Sequence, residues 1–250
     1  MGIRVLLQSG EEEGRALAKL VARHDWRGGA SVLKRDGDTV VYRGADERGR
    51  AIVVKCMALR GFRRRVQSML GRSRLARQWR GSALLGRAGI ATAKCRVLFR
   101  AGGTETLVLD WVDGPTVAEL AVRGGVSLRE EHAIAGAIGG QVAAIAKAGL
   151  FNRDHKASNL VVRGLGSDAC VVVLIDTVGI RAGLTAVDLM LAKTAIELIG
   201  IGALPRRALL FRAIKAAEPR HTKTAWRAIA QVIARHGDPT PKVNPVAPVR

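Results

Sequence analysis

Cysteine is nearly absent from this chain. Only Cys56, Cys95 and Cys170 occur in 250 residues, widely spaced and with no C-x-x-C pair. Neither a disulfide framework nor a zinc knuckle is written there, and a reducing, cytoplasmic setting is expected. Aromatic residues are 4% of the chain, which argues against a platform that stacks single-stranded nucleic acid. The longest apolar runs, residues 170–175 and 133–146, fall short of the ~20 residues that span a bilayer. The opening stretch is interrupted by Arg4, stopped by Glu11 to Glu13 and lacks Ser or Thr at position six, so no signal peptide or myristoyl anchor is expected. Acidic residues are also scarce, 21 against 41 Lys and Arg, for a net charge of +20. Such an excess calls for a polyanionic partner without choosing among nucleotide phosphates, acidic headgroups and phosphorylated glycans. With 48% hydrophobic residues the chain can bury a core in one domain or two modest lobes.

The pattern along the chain changes near residue 110. Residues 11–23 have helical spacing; 31–34 and 39–43 read as strands joined by a turn containing Asp36-Gly37, and 51–56 is a β-branched third strand. Residues 63–87 show apolar positions at three- and four-residue steps, including Val66, Met69 and Leu70, and predict one helix closed by Gly89. Strands at 95–99 and 106–109 complete an expected five-stranded antiparallel sheet with one inserted helix. Beyond a hinge at 110–114 the pattern is mostly helical. Ser127 is placed to cap a helix over 127–148, and a hairpin at 160–162 and 171–175 interrupts the helices. The expected fold is α+β and bilobal: an N-terminal lobe over 1–109, a C-terminal lobe over 115–238, and a proline-rich tail over 239–250.

Chemistry concentrates in Phe151-Asn152-Arg153-Asp154-His155-Lys156-Ala157-Ser158-Asn159, which precedes the first hairpin strand, while the second strand runs into Ile175-Asp176-Thr177. Singly these residues have plain explanations: Asp and Asn favour turns, and Lys55 could be a solvated strand residue. Together they resemble the catalytic loop of protein-kinase-like phosphotransferases, R-D-x-K-x-x-N before a strand and a metal-binding Asp after the next. Upstream, the 34–44 hairpin, Val53-Val54-Lys55, Ala76-Arg77-Gln78-Trp79 and Ala88-Gly89-Ile90 look like the lipopolysaccharide kinase family, which includes Kdo and heptose kinases. The resemblance covers roughly residues 31 to 190. Its departures are Asn152 for the usual histidine, Thr177-Val178 for the aromatic–glycine pair, with Gly179 one place late, and Gln78 where a helix glutamate usually pairs with the lysine.

The resemblance implies ATP and Mg²⁺ as cofactors. It makes Asp154 the base for the acceptor hydroxyl, and Asn159 and Asp176 the metal ligands. Lys156 and Lys55 would hold phosphates, with Gln78 beside Lys55, and backbone groups over Leu109 to Trp111 would meet the adenine. Asp188 would receive backbone N–H groups of the loop, and His155 has no catalytic role. The implied acceptor is a sugar hydroxyl of a lipopolysaccharide-core or Kdo-type glycolipid, reached by peripheral contact with the inner membrane surface. Two alternatives stand beside it: a pseudokinase-like nucleotide-binding scaffold, prompted by Gln78, and a kinase acting on a protein or small molecule.

Overall fold

In a computed structural model the described residues are 2–23, 26, 29–167, 169–183 and 185–240. The expected tail is therefore described only as far as residue 240. The chain divides into two compact units, one formed by 2–82 and 93–111, the other by 83–92 and 112–240. Residues 83–92, expected in the first lobe, group with the second because Leu85 and Ile90 are buried in its core.

The first unit is built on a six-stranded antiparallel sheet: β1 (Arg4–Gln8), β2 (Ser31–Asp36), β3 (Thr39–Ala45), β4 (Ala51–Ala58), β5 (Cys95–Ala101) and β6 (Thr104–Asp110), in the order β1-β5-β6-β4-β3-β2. The count exceeds the expected five by β1, a short arginine-containing strand that pairs with β5. Side chains alternate between faces along a strand. In β4 and β6 this turns Ile52, Val54 and Val108 toward one core with Leu17, Ala18 and Val21 of α1 (Glu11–Arg23). Lys55 and Met57 take the opposite face, with their cross-strand partners Leu107 and Glu105.

The single helix expected over 63–87 is two, α2 (Phe62–Met69) and α3 (Arg74–Arg87), broken where Gly71 adopts a φ of 63°. That left-handed conformation suits glycine and ends α2. The break also reverses an expectation about packing. Phe62, Met69 and Leu70 are 84%, 69% and 62% exposed, so the apolar positions of α2 face outward. The connector is fixed from the other side by Glu105, fully buried, which accepts hydrogen bonds from the Ser68 and Ser73 hydroxyls and lies 3.6 Å from the Arg100 guanidinium.

The second unit contains α4 (Val117–Arg123), α5 (Leu128–Lys147), α6 (Val187–Gly200), α7 (Arg207–Ala217) and α8 (Thr222–Arg235). Ser127 caps α5 as expected and forms a capping box with Glu130; Thr116 and Glu119 do the same for α4. Each cap of this kind contributes about 1 kcal/mol. Two small ladders complete the unit: β7 (Leu150–Asn152) with β10 (Ile180–Ala182), and β8 (Leu160–Arg163) with β9 (Val171–Leu174). Ile138, Val142 and Ile145 of α5, Leu160 and Val162 of β8, and Met190 and Leu191 of α6 share one core. Among the described residues no helix is long and apolar enough to cross a membrane.

Candidate active site

In the second unit, β7 delivers the chain into the loop 153–156, a single 3₁₀ turn (Ala157–Asn159) follows, and β8 leads away. The β8–β9 register pairs Leu160 with Leu174, and the Ile175 N–H donates to the Asn159 carbonyl at 3.0 Å. Asn159 and Asp176 therefore emerge at the same end of one ladder. The Asn159 side-chain N–H donates to the Asp154 carbonyl at 3.0 Å, which ties the expected base to an expected metal ligand. Asp154, half-buried, has its N–H bonded to Asn152 Oδ1 at 3.0 Å and its carboxylate 3.2 Å from Arg153. Asp176 accepts from the Val178 N–H at 3.1 Å, and Lys156 is exposed.

The loop is anchored from below. His155, expected behind the loop or at the surface with no catalytic role, is fully buried behind it. Its ring nitrogens lie 2.9 Å from Thr194 Oγ1 and 3.3 Å from Gln141 Oε1, and the Thr194 hydroxyl also donates to the His155 carbonyl at 2.9 Å. Burial pushes the His155 pKa down to about 4, so the ring is neutral at pH 7. Gln141 in turn donates to the Val172 carbonyl at 2.9 Å, joining α5 to β9. Ser158 donates twice to Glu197, from its N–H and its hydroxyl, each at 2.8 Å. The backbone-receiving role expected of Asp188 thus falls to Glu197, farther along α6, while Asp188 sits half-buried in the first turn. A sequence signal exists: Thr194 and Glu197 stand three apart, on one helix face, in the mostly apolar stretch Leu191 to Leu198 that also holds Lys193.

Gly179 is in place for reasons of space. A Cβ there would come 2.7 Å from Asn152 Oδ1, 2.8 Å from the Asp154 nitrogen and 3.0 Å from Asp154 Oδ2. Asn152 is itself fully buried, and its Nδ2 has no hydrogen-bond partner among the described residues.

In the first unit, the Lys55 ammonium donates to Gln78 Oε1 at 2.8 Å, with Gln78 1% exposed. Leu109 is paired within the sheet to both Val53 and Cys95. The N–H groups of Asp110 and Trp111 donate to the Lys94 and Ala51 carbonyls at 2.9 and 3.1 Å. The Trp111 ring lies under the Arg43 guanidinium at 4.4 Å. Burial pushes the Cys95 thiol up to about 11, which makes it a poor nucleophile.

No family model matches the sequence, and no curated protein matches it either. A solved structure of the Rio2 kinase–ADP/Mg²⁺–phosphoaspartate complex from Chaetomium thermophilum is similar over 91% of this chain and 76% of its own, at 17% identity and a TM-score of 0.53. The fold is protein-kinase-like. That likeness is one of architecture and leaves the chemistry to the residues.

The donor set suits a hard cation. Among the described residues no three His, Cys, Asp or Glu side chains cluster as metal ligands, but Mg²⁺ in phosphotransfer sites takes one or two carboxylates and completes its shell with water and phosphate oxygens. One carboxylate and one amide oxygen at a ladder end fit that requirement.

Proposed function

We propose that the chain is a phosphotransferase that moves the γ-phosphoryl group of ATP to an alcohol. The observation that carries this reading is the linkage of Asp154 to Asn159, with Asp176 at the same end of the β8–β9 ladder, within a kinase-like fold. Asp154 orients the acceptor hydroxyl and takes its proton as the new O–P bond forms and the bond to the ADP oxygen breaks. Asn159 and Asp176 would hold Mg²⁺, which when bound neutralises charge on the phosphates. Lys156 is assigned to the transferring phosphate and Lys55, held by Gln78, to the α- and β-phosphates. A solved neighbour containing ADP and Mg²⁺ supports the choice of both.

The acceptor class in this reading is a sugar hydroxyl on an acidic glycolipid of the lipopolysaccharide-core or Kdo type, as the sequence resemblance implies. Two features support an anionic, membrane-borne acceptor: the net charge of +20, and the outward apolar face of α2 flanked by Arg63 and Arg65. Peripheral contact with the inner membrane surface belongs to the same proposal.

The test is ATP turnover on a Kdo- or heptose-containing acceptor by the full chain and by Asp154→Asn and Asp176→Ala. Asp154→Asn should lose at least about a hundredfold in kcat, the usual lower range for removing a general base, and Asp176→Ala, which removes the carboxylate assigned to Mg²⁺, should lose the Mg²⁺-dependent turnover. Turnover that survives both substitutions sinks the assignment. The neutral Gln78 beside Lys55 favours one rival, a nucleotide-binding scaffold; nucleotide- and Mg²⁺-dependent thermal stabilisation without turnover on any acceptor establishes the rival instead.

A further inference from the structure

The helical unit holds an open-mouthed pocket of about 420 Å³, lined by α4, α5, α6, α7 and the connector before α7. Protein interiors close-pack and leave few voids larger than a water molecule. A space of this size falls instead in the range of roughly 300–1,000 Å³ occupied by small-molecule sites. Its walls are Leu120, Ile134, Ile138, Leu191 and Leu198, mostly buried. Inside, the polar side chain is that of Thr194, already donating to the His155 carbonyl and facing the His155 ring. The other side chains of the inner wall named above are apolar. An apolar occupant is the one the lining suits.

At the opening the chemistry changes. Leu204 is 76% exposed, and the Arg206 side chain, 64% exposed, lies 3.2 Å from Glu131, whose side chain is only 26% exposed. The more accessible member of the pair is the cation. The contact to Glu131 runs through one terminal nitrogen of the guanidinium, whose other N–H groups can meet a second anion while the pair stays in place, and a chain of net charge +20 concentrates anions near its surface. We propose that this cavity is a binding site for a single-chain anionic amphiphile, its alkyl tail among the leucines and isoleucines and its head on Arg206. The site is separate from the phosphotransfer residues and does not depend on that reading. Its inner wall is nonetheless Thr194, so the occupant packs against the residue that holds the His155 loop.

The experiment is calorimetric titration of the full-length protein with dodecanoate, dodecanol and dodecyltrimethylammonium, each below its micelle concentration. Wild type should bind dodecanoate saturably, one per chain, and about tenfold more tightly than the ammonium amphiphile. Ala121→Trp, at an exposed lining position, should keep the melting temperature and weaken dodecanoate at least about tenfold by blocking the opening. Arg206→Gln should weaken dodecanoate by a similar factor and leave dodecanol unchanged. Absence of saturable binding, equal binding of the cationic and anionic amphiphiles, or unaltered binding to a folded Ala121→Trp protein overturns the proposal.

Discussion

Gly179 shows how little room the candidate base is given. Its Cα faces the turn in which Asn152 Oδ1 caps the Asp154 N–H, and every atom a Cβ would meet within 3.0 Å belongs to Asn152 or Asp154. The backbone has no easy retreat, because the Gly179 carbonyl accepts from the Arg153 N–H at 3.1 Å and β10 begins at the next residue. Gly179→Ala should therefore push the Asp154 carboxylate out of line while leaving the fold intact, at a stability cost of about 1–3 kcal/mol for overpacking. Because alignment of a base is worth more than its mere presence, turnover should fall by roughly a hundredfold with nucleotide affinity little changed. Unaltered kcat in a folded Gly179→Ala protein would show that the glycine serves the chain and not the acid above it. In the sequence this glycine stands out only as one place late against the kinase-like pattern; the crowding that demands it is tertiary and has no local signature.

The loop 153–159 is held by two helices at once, and that arrangement has a pH dependence. His155 is neutral in the fold because burial lowers its pKa from 6.5 to about 4. The unfolded chain therefore binds a proton that the folded chain refuses between about pH 6.5 and pH 4, and stability is lost as the pH falls through that window. The full effect of the shift is roughly 3 kcal/mol. Urea unfolding between pH 7 and pH 4 should show this loss, and His155→Gln, which keeps hydrogen-bonding capacity toward Thr194 and Gln141 without titrating, should flatten that part of the slope. An unchanged slope would assign the acid sensitivity to other groups. Part of this element is legible in the sequence: the resemblance to a kinase-like catalytic loop points to Asp154, Asn159 and Asp176, and the hairpin between the last two follows from two β-branched runs around Gly164 and Gly166. What was not legible was which helix residues hold the loop. Asp188 was the local guess because it opens α6, whereas the packing brings Glu197 to Ser158. The break of α2 from α3 differs from the single expected helix: the apolar spacing lapses over the five-residue step from Leu70 to Leu75, where Gly71 falls, and periodicity does not say whether a stripe faces the core or the solvent.

For the whole molecule, the question is what an excess of twenty positive charges faces. Isolated exposed ion pairs, such as Arg74 with Asp36 or Arg15 with Glu11, contribute little to stability, so such pairs do not account for the excess of arginines. On α2 the charges accompany an apolar surface: Phe62, Val66, Met69 and Leu70 recur at helical spacing, with Arg63 and Arg65 exposed on either side. That combination suits an interface in which apolar side chains enter the headgroup boundary while basic ones stay with anionic lipid. Each arginine near an anionic surface gains about 1 kcal/mol, and the gain falls away within a Debye length. The protein should therefore sediment with vesicles containing anionic phospholipid at low salt, and release at 0.5 M salt, an ionic strength where the Debye length is only a few ångströms (roughly 3 Å at 1 M). Phe62→Ser with Met69→Ser should weaken binding about tenfold without lowering the melting temperature, because both side chains are already in water. Equal sedimentation with neutral and anionic vesicles, or a double variant that binds as wild type does, would remove the membrane from the account and leave the charge for a soluble acidic acceptor.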